Sequence, residues 1–133
     1  MKKAILNYIE PLEALRLVLK DHGLVAYVGE LPPRDGIALA IIGGVTRYDF
    51  RGHARVRAQV AITGKASVQA RALELCQEAA SQLQWAETWS NGWKLTGAGA
   101  KGTPVFIGQD KGGAYMYAIQ YNTRLIFWAE SEA

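Results

Sequence analysis

Gly108-Gln-Asp110-Lys-Gly112-Gly113-Ala-Tyr115-Met-Tyr117-Ala-Ile119-Gln-Tyr121 is the stretch on which the fold turns. Its Asp-Lys-Gly-Gly segment places residues that tolerate positive φ between two extended runs. The second run alternates Tyr115, Tyr117, Ile119 and Tyr121 with smaller or more polar neighbours, the pattern of a hairpin with one packed face. The C-terminal half is therefore β, with strands expected over Pro104–Gly108 and Ala114–Phe127.

Upstream of the hairpin, Val68, Ala72, Leu75, Cys76, Ala79 and Leu83 make one apolar stripe opposite Arg71, Glu74, Glu78 and Gln82. That spacing predicts a helix over Ser67–Gln84, packed on the sheet. A first helix is expected over Asn7–His22, where Leu12, Leu15, Val18 and Leu19 recur at three and four. Asn7 with Glu10 resembles a capping box, Pro11 falls in the first turn, and Gly23 stands where the helix would end. Between the helices three strands are expected. Leu24–Leu31 is stopped by Pro32-Pro33 and Ile37–Ile42 by Gly43-Gly44, and Ala54–Ile62 is ended by Gly64. In the third strand Arg55, Arg57 and Gln59 alternate with Val56, Ala58 and Val60, which puts both arginines on its wet face. The segment Trp85–Gly102 reads as a loop, a short strand near Trp93–Thr96 and a flexible loop through Gly97, Gly99, Lys101 and Gly102. The order helix, three strands, helix, three strands points to an α+β fold, two helices packed on a mainly antiparallel sheet of about five to six strands.

The 133 residues, 50% hydrophobic and 20% charged, have the length and balance of one globular domain, residues 1–133. One cysteine, Cys76, excludes an internal disulfide, and with only His22 and His53 it leaves no ligand set for structural zinc. The apolar start of the chain is broken by Asn7, Glu10 and Pro11, and the longest apolar run, Ile37–Ile42, is too short to span a bilayer. A cytoplasmic protein without membrane contact is expected. The net charge of +3 is unevenly spread: residues 1–66 hold ten Lys and Arg against six acids, and residues 67–133 hold five against six. Arg47, Arg51, Arg55 and Arg57 face only Asp49, so Arg47–Arg57 is the basic segment of the chain.

Three motifs compete for function. Gly97-x-Gly99-x-x-Gly102 matches the letters of a dinucleotide fingerprint, but Pro104 and a strand follow it where a helix should open, so no cofactor is expected. Trp85, Trp89 and Trp93 offer stacking faces for a carbohydrate, against the plainer account of closing a core or filling an interface. Tyr48, Phe50, Arg51, His53, Arg55 and Arg57 interleave aromatics with cations as nucleic-acid grooves do. The rim of a protein interface, rich in Arg and Tyr, is the preferred reading. Four cations fall short of tight phosphate tracking, though weak, salt-sensitive contact with DNA is within their reach. No Ser, Cys or carboxylate pairs with either histidine at a catalytic spacing, and Cys76 lies on the apolar stripe, so the chain reads as no enzyme.

The chain resembles the minor capsid proteins that act as tail terminators at the neck of long-tailed bacteriophages. The resemblance rests on Gly29-Glu-Leu-Pro32-Pro33 before Ile37-Ala-Leu and Gly43-Gly44. It continues in Val56-Arg57-Ala-Gln59-Val60 with Gly64 and the helix through Ala70, and in Pro104-Val-Phe-Ile-Gly108-x-Asp110 entering the aromatic strand. The chain departs from the family in Lys111-Gly112-Gly113-Ala114, where Asn-Gly-Arg chemistry is expected, and in the Trp- and Gly-rich Trp85–Lys101. The resemblance implies a structural virion protein in the tail-neck region, assembled in the host cytoplasm. It would form a ring, usually sixfold, on the last ring of the tail tube protein and present a surface to the head-tail connector protein. A ring needs two complementary faces. Arg55 and Arg57, with Tyr48, Phe50 and Arg51, are the candidate basic face, Glu74 and Glu78 the acidic one. Gly97, Gly99, Lys101 and Gly102 are expected to form an attachment loop, mobile in the free subunit and ordered by the tube or connector.

Overall fold

The computed structural model describes residues 9–48, 53–84, 86–90 and 93–127. In chain order they form α1 (Ile9–Asp21), β1 (Ala26–Val28), β2 (Gly36–Tyr48), β3 (Ala54–Ala66), α2 (Gln69–Leu83), β4 (Glu87–Ser90), β5 (Trp93–Gln109) and β6 (Tyr115–Phe127). The strands make one six-stranded sheet in the order β1-β2-β3-β6-β5-β4. β1 is parallel to β2, and every other neighbouring pair is antiparallel. Two helices on a mainly antiparallel sheet are thus present, and the sheet is larger than the sequence pattern suggests because its strands run through glycines read as stops.

α1 buries Leu12, Leu15 and Leu19. It ends in a left-handed cap at Gly23 (φ 76), where the Gly23 N–H donates to Lys20 O at 2.9 Å and the Leu24 N–H to Leu19 O at 3.0 Å. Its expected capping box, Asn7 with Glu10, falls outside what the structure describes of side chains. α2 lies over β3, β6 and β5 and buries Ala72, Leu75, Cys76, Ala79, Ala80 and Leu83. Val68, expected on this stripe, is exposed instead, because the helix begins only at Gln69 and Val68 stands at its extended N-cap. Under α2, the buried β3 residues Val56, Val60 and Ile62 meet Ile119, Tyr121 and Leu125 of β6 in one core.

Four sequence-based expectations change. β2 does not stop at Gly43-Gly44 but continues to Tyr48 through a bulge between Ile41 and Gly43. A Cβ on Gly44 would stand 2.5 Å from Arg57 O, so glycine here serves close strand approach rather than a turn. β3 likewise passes through Gly64, where a Cβ would collide with Ala72 O of α2. Glu87–Ser90, read as loop, is strand β4, paired with Trp93–Thr96. Finally, Gly97 to Gly102 is not a loop. It belongs to the continuous strand β5, paired with β6 through Gly99↔Asn122, Ala100↔Tyr121 and Lys101↔Gln120. Its positive-φ glycines Gly99 (φ 94), Gly102 (φ 79) and Gly108 (φ 119) sit at the register shifts of β5, and Pro104 falls inside one of them. Glycine with positive φ marks bulges as well as turns, and proline is tolerated where the ladder is interrupted.

Candidate interaction surfaces

Strand alternation divides the sheet into a face covered by the helices and an open face. On β3 the covered side is Ala54, Val56, Ala58, Val60 and Ile62, all buried, while Arg55, Arg57 and Gln59 are exposed on the other. Cross-strand register then assembles what separate positions in the chain do not reveal. Arg47 of β2 stands directly opposite Arg55, and Arg124 of β6 directly opposite Arg57. All four arginines are exposed. Gln59 pairs with Asn122 in the next open-face row, and Gln120 Nε2 donates to Asn122 Oδ1 at 3.2 Å.

Two shallow hollows lie along this row. One, of about 580 Å³, is lined by Val45, Arg57, Gln59, Asn122 and Arg124 among others. Its neighbour, of about 410 Å³, adds Arg47, Arg55 and Ile126. Among the described residues no acidic side chain forms an ion pair with any of these arginines. Alternation in the sequence points to Arg55 and Arg57, and Arg47 belongs to its basic segment; Arg124 was missed. The available signal was the same alternation, which on β6 sets Arg124 between Thr123 and Leu125, both buried.

Of the other interface candidates, Tyr48 ends β2 and is exposed, whereas Phe50 and Arg51 lie outside the described residues. Glu74 and Glu78 are exposed on the outer side of α2, 3.7 and 3.8 Å from Arg71 Nη1. They and the arginine row point away from opposite sides of the layer and do not meet within one subunit. Trp85 lies outside the described residues, and Trp89 and Trp93 are placed only by their backbones in β4 and β5.

A second surface is formed by the sheet edges. β1 covers β2 only along Ile37–Leu39, and β4 covers β5 only along Trp93–Thr96. The outer side of β2 from Ala40 onward and of β5 from Ala98 onward therefore has no strand neighbour among the described residues. Both stretches carry exposed apolar side chains: Ile42, Val45 and Tyr48 on β2, and Val105, Phe106 and Ile107 on β5, with 46 to 62% of each accessible. Phe106 leans on Tyr117 and Tyr115, with ring centroids 5.3 and 6.3 Å apart.

At the lower end of the open face, Lys65 is buried. Its Nζ donates to Pro32 O at 2.9 Å and pairs with Asp110 Oδ2 at 2.7 Å, tying the β5–β6 turn to the loop before β2. Asp110 Oδ1 also accepts the Ala114 N–H at 2.8 Å. The bond from Lys65, then that backbone N–H, hold the Asp110 carboxyl below its ordinary value. Cys76 donates to Ile62 O at 3.4 Å, and burial pushes its thiol up to about 11, away from nucleophilic chemistry at neutral pH. Among the described residues no cluster of three His, Cys, Asp or Glu could hold a metal, and no helix is long and apolar enough to cross a membrane. Comparison of the chain with protein-family models and with curated proteins gave no match.

Proposed function

We propose that this chain is a structural ring subunit of the tail-terminator kind, capping a phage tail tube and joining it to the head connector. The observation that carries the reading is the pair of partly uncovered, apolar sheet edges on β2 and β5. The two edges differ in sequence and belong to opposite ends of the sheet order, so contact between them in neighbouring subunits is heterologous, the kind of contact that builds a ring when its rotation closes. β2 and β5 run in opposite directions, and their meeting continues the antiparallel pattern. Bulges on both edges restrict indiscriminate ladder pairing and leave recognition to the side chains. Tyr48 falls within this contact. The bulged edge through Gly97, Gly99, Lys101 and Gly102 is the part of β5 assigned to attachment. A sixfold ring in the virion neck, bound to tail tube protein, is what the family resemblance adds.

A second contact, Arg55 and Arg57 against Glu74 and Glu78 of a neighbour, joins opposite sides of the layer and is the geometry of a stack rather than a side-by-side ring. Sedimentation of the purified protein, alone and with tail tubes, separates the two. Val105→Asp with Ile42→Asp is expected to leave a folded monomer that no longer caps tubes, while Arg55→Glu with Arg57→Glu still forms rings. Unchanged assembly of the edge variant moves the interface elsewhere. A parent protein that neither assembles nor binds tubes sinks the reading.

A further inference from the structure

The open face of the sheet sets arginines directly against one another. Arg47 faces Arg55 and Arg57 faces Arg124 as directly opposed cross-strand pairs, an arrangement that costs stability, and no acid among the described residues neutralises them. Among the described residues, by contrast, Lys65 pairs with Asp110, Arg16 with Glu13 and Lys94 with Glu87, and Arg71 stands near Glu74 and Glu78. The arginine row lines both hollows of the open face.

We propose that this row is a binding site for the sugar-phosphate backbone of a nucleic acid, read without regard to base sequence. Opposed arginines on neighbouring strands stand about 5 Å apart at the backbone, and Arg55 and Arg57 about 7 Å apart along theirs. This gives a short ladder of guanidinium groups suited to an anion whose charge repeats along a line. Gln59 and Asn122 prolong the ladder with amide groups, which hydrogen-bond phosphate and sugar oxygens. An acidic protein segment would take up single arginines in bidentate pairs and would have no use for the regular spacing. The site is independent of the edge contacts, so it stands or falls apart from the ring reading.

The test is fluorescence anisotropy of a labelled single-stranded DNA, and of its duplex, titrated with the purified protein at several salt concentrations. Four phosphate contacts give log affinity against log salt a slope of about −3 on the single strand and about −4 on the duplex. Arg57→Gln and Arg124→Gln are each expected to reduce the slope by about one and to weaken binding equally for unrelated sequences. Arg71→Gln, on the outer side of α2, is expected to change neither. Polyglutamate of matched charge should displace the DNA poorly. Each row variant removes a repulsion, so its melting midpoint at low salt should equal or exceed that of the parent, which separates lost binding from lost folding. Slopes unchanged in Arg57→Gln and Arg124→Gln overturn the proposal, and polyglutamate binding as tightly as DNA replaces it with an acidic-protein site.

Discussion

Tyr121 shows how one side chain sets the identity of another. It is fully buried, its phenol hydroxyl donates to Leu83 O at the end of α2, and burial raises its pKa beyond the usual phenol range. Residue 97 is glycine because a Cβ there would overlap the Tyr121 hydroxyl and stand 2.9 Å from Leu83 O. Gly97→Ala is therefore expected to cost about 1–3 kcal/mol in urea unfolding, the range for overpacking a filled core. Tyr121→Phe alone should cost about 1 kcal/mol, the value of a typical hydrogen bond. The double variant should fall short of their sum, since both act on one contact. Asp110 makes a different prediction. Its folded pKa is depressed, so the Lys65 clasp contributes fully above the unfolded carboxylate value of about 4 and is lost as pH falls through the folded value. Thermal melts should show the parent losing more stability than Asp110→Asn on acidification from about pH 5 to pH 3. An equal loss in both proteins would place the acid sensitivity elsewhere.

At the scale of elements, α2 tests the packing. Leu75→Asp puts a charge under the helix and should cost at least about 3 kcal/mol by denaturant titration, whereas Val68→Ser, at an exposed N-cap that has no side-chain cap, should stabilise by about 1 kcal/mol. The α2 stripe was legible because helical periodicity over many residues survives local irregularity; only its first member, Val68, misled, because a stripe does not show where a helix begins. The alternation of Arg55 to Ile62 was legible for the same reason. The strand ends were not, since Gly44, Gly64 and Gly97 read as turn or loop residues but answer to neighbours distant in sequence: Arg57 O, Ala72 O and the Tyr121 hydroxyl. Gly99, Gly102 and Gly108 carry the positive φ that a turn would need, at bulges instead. The arginine row escaped complete detection because the pairing of Arg57 with Arg124 exists only in the register between β3 and β6.

At the scale of the molecule, each half of the chain is a helix followed by three strands, and the halves lie in the sheet in mirror order, meeting at the β3–β6 seam. This arrangement places β2 and β5 toward opposite margins and so makes the two candidate edges unlike. The sequence could show the repeated element order but not the seam, which depends on contacts between Ala66 and Tyr115 at one end and Ala54 and Phe127 at the other. The seam also governs time. During synthesis the inner side of β3 must wait, without its strand partner, until α2, β4 and β5 have been made and β6 arrives. Refolding should accordingly be slow for a chain of this size, with the non-local pairing of β3 and β6 as the limiting event. In stopped-flow experiments, Val60→Ala and Ile119→Ala should slow folding more than Leu15→Ala in α1 does for equal loss of stability. Equal slowing by all three would mean that the halves do not nucleate at their junction, and a newborn chain would then have no special need of protection while β3 is exposed.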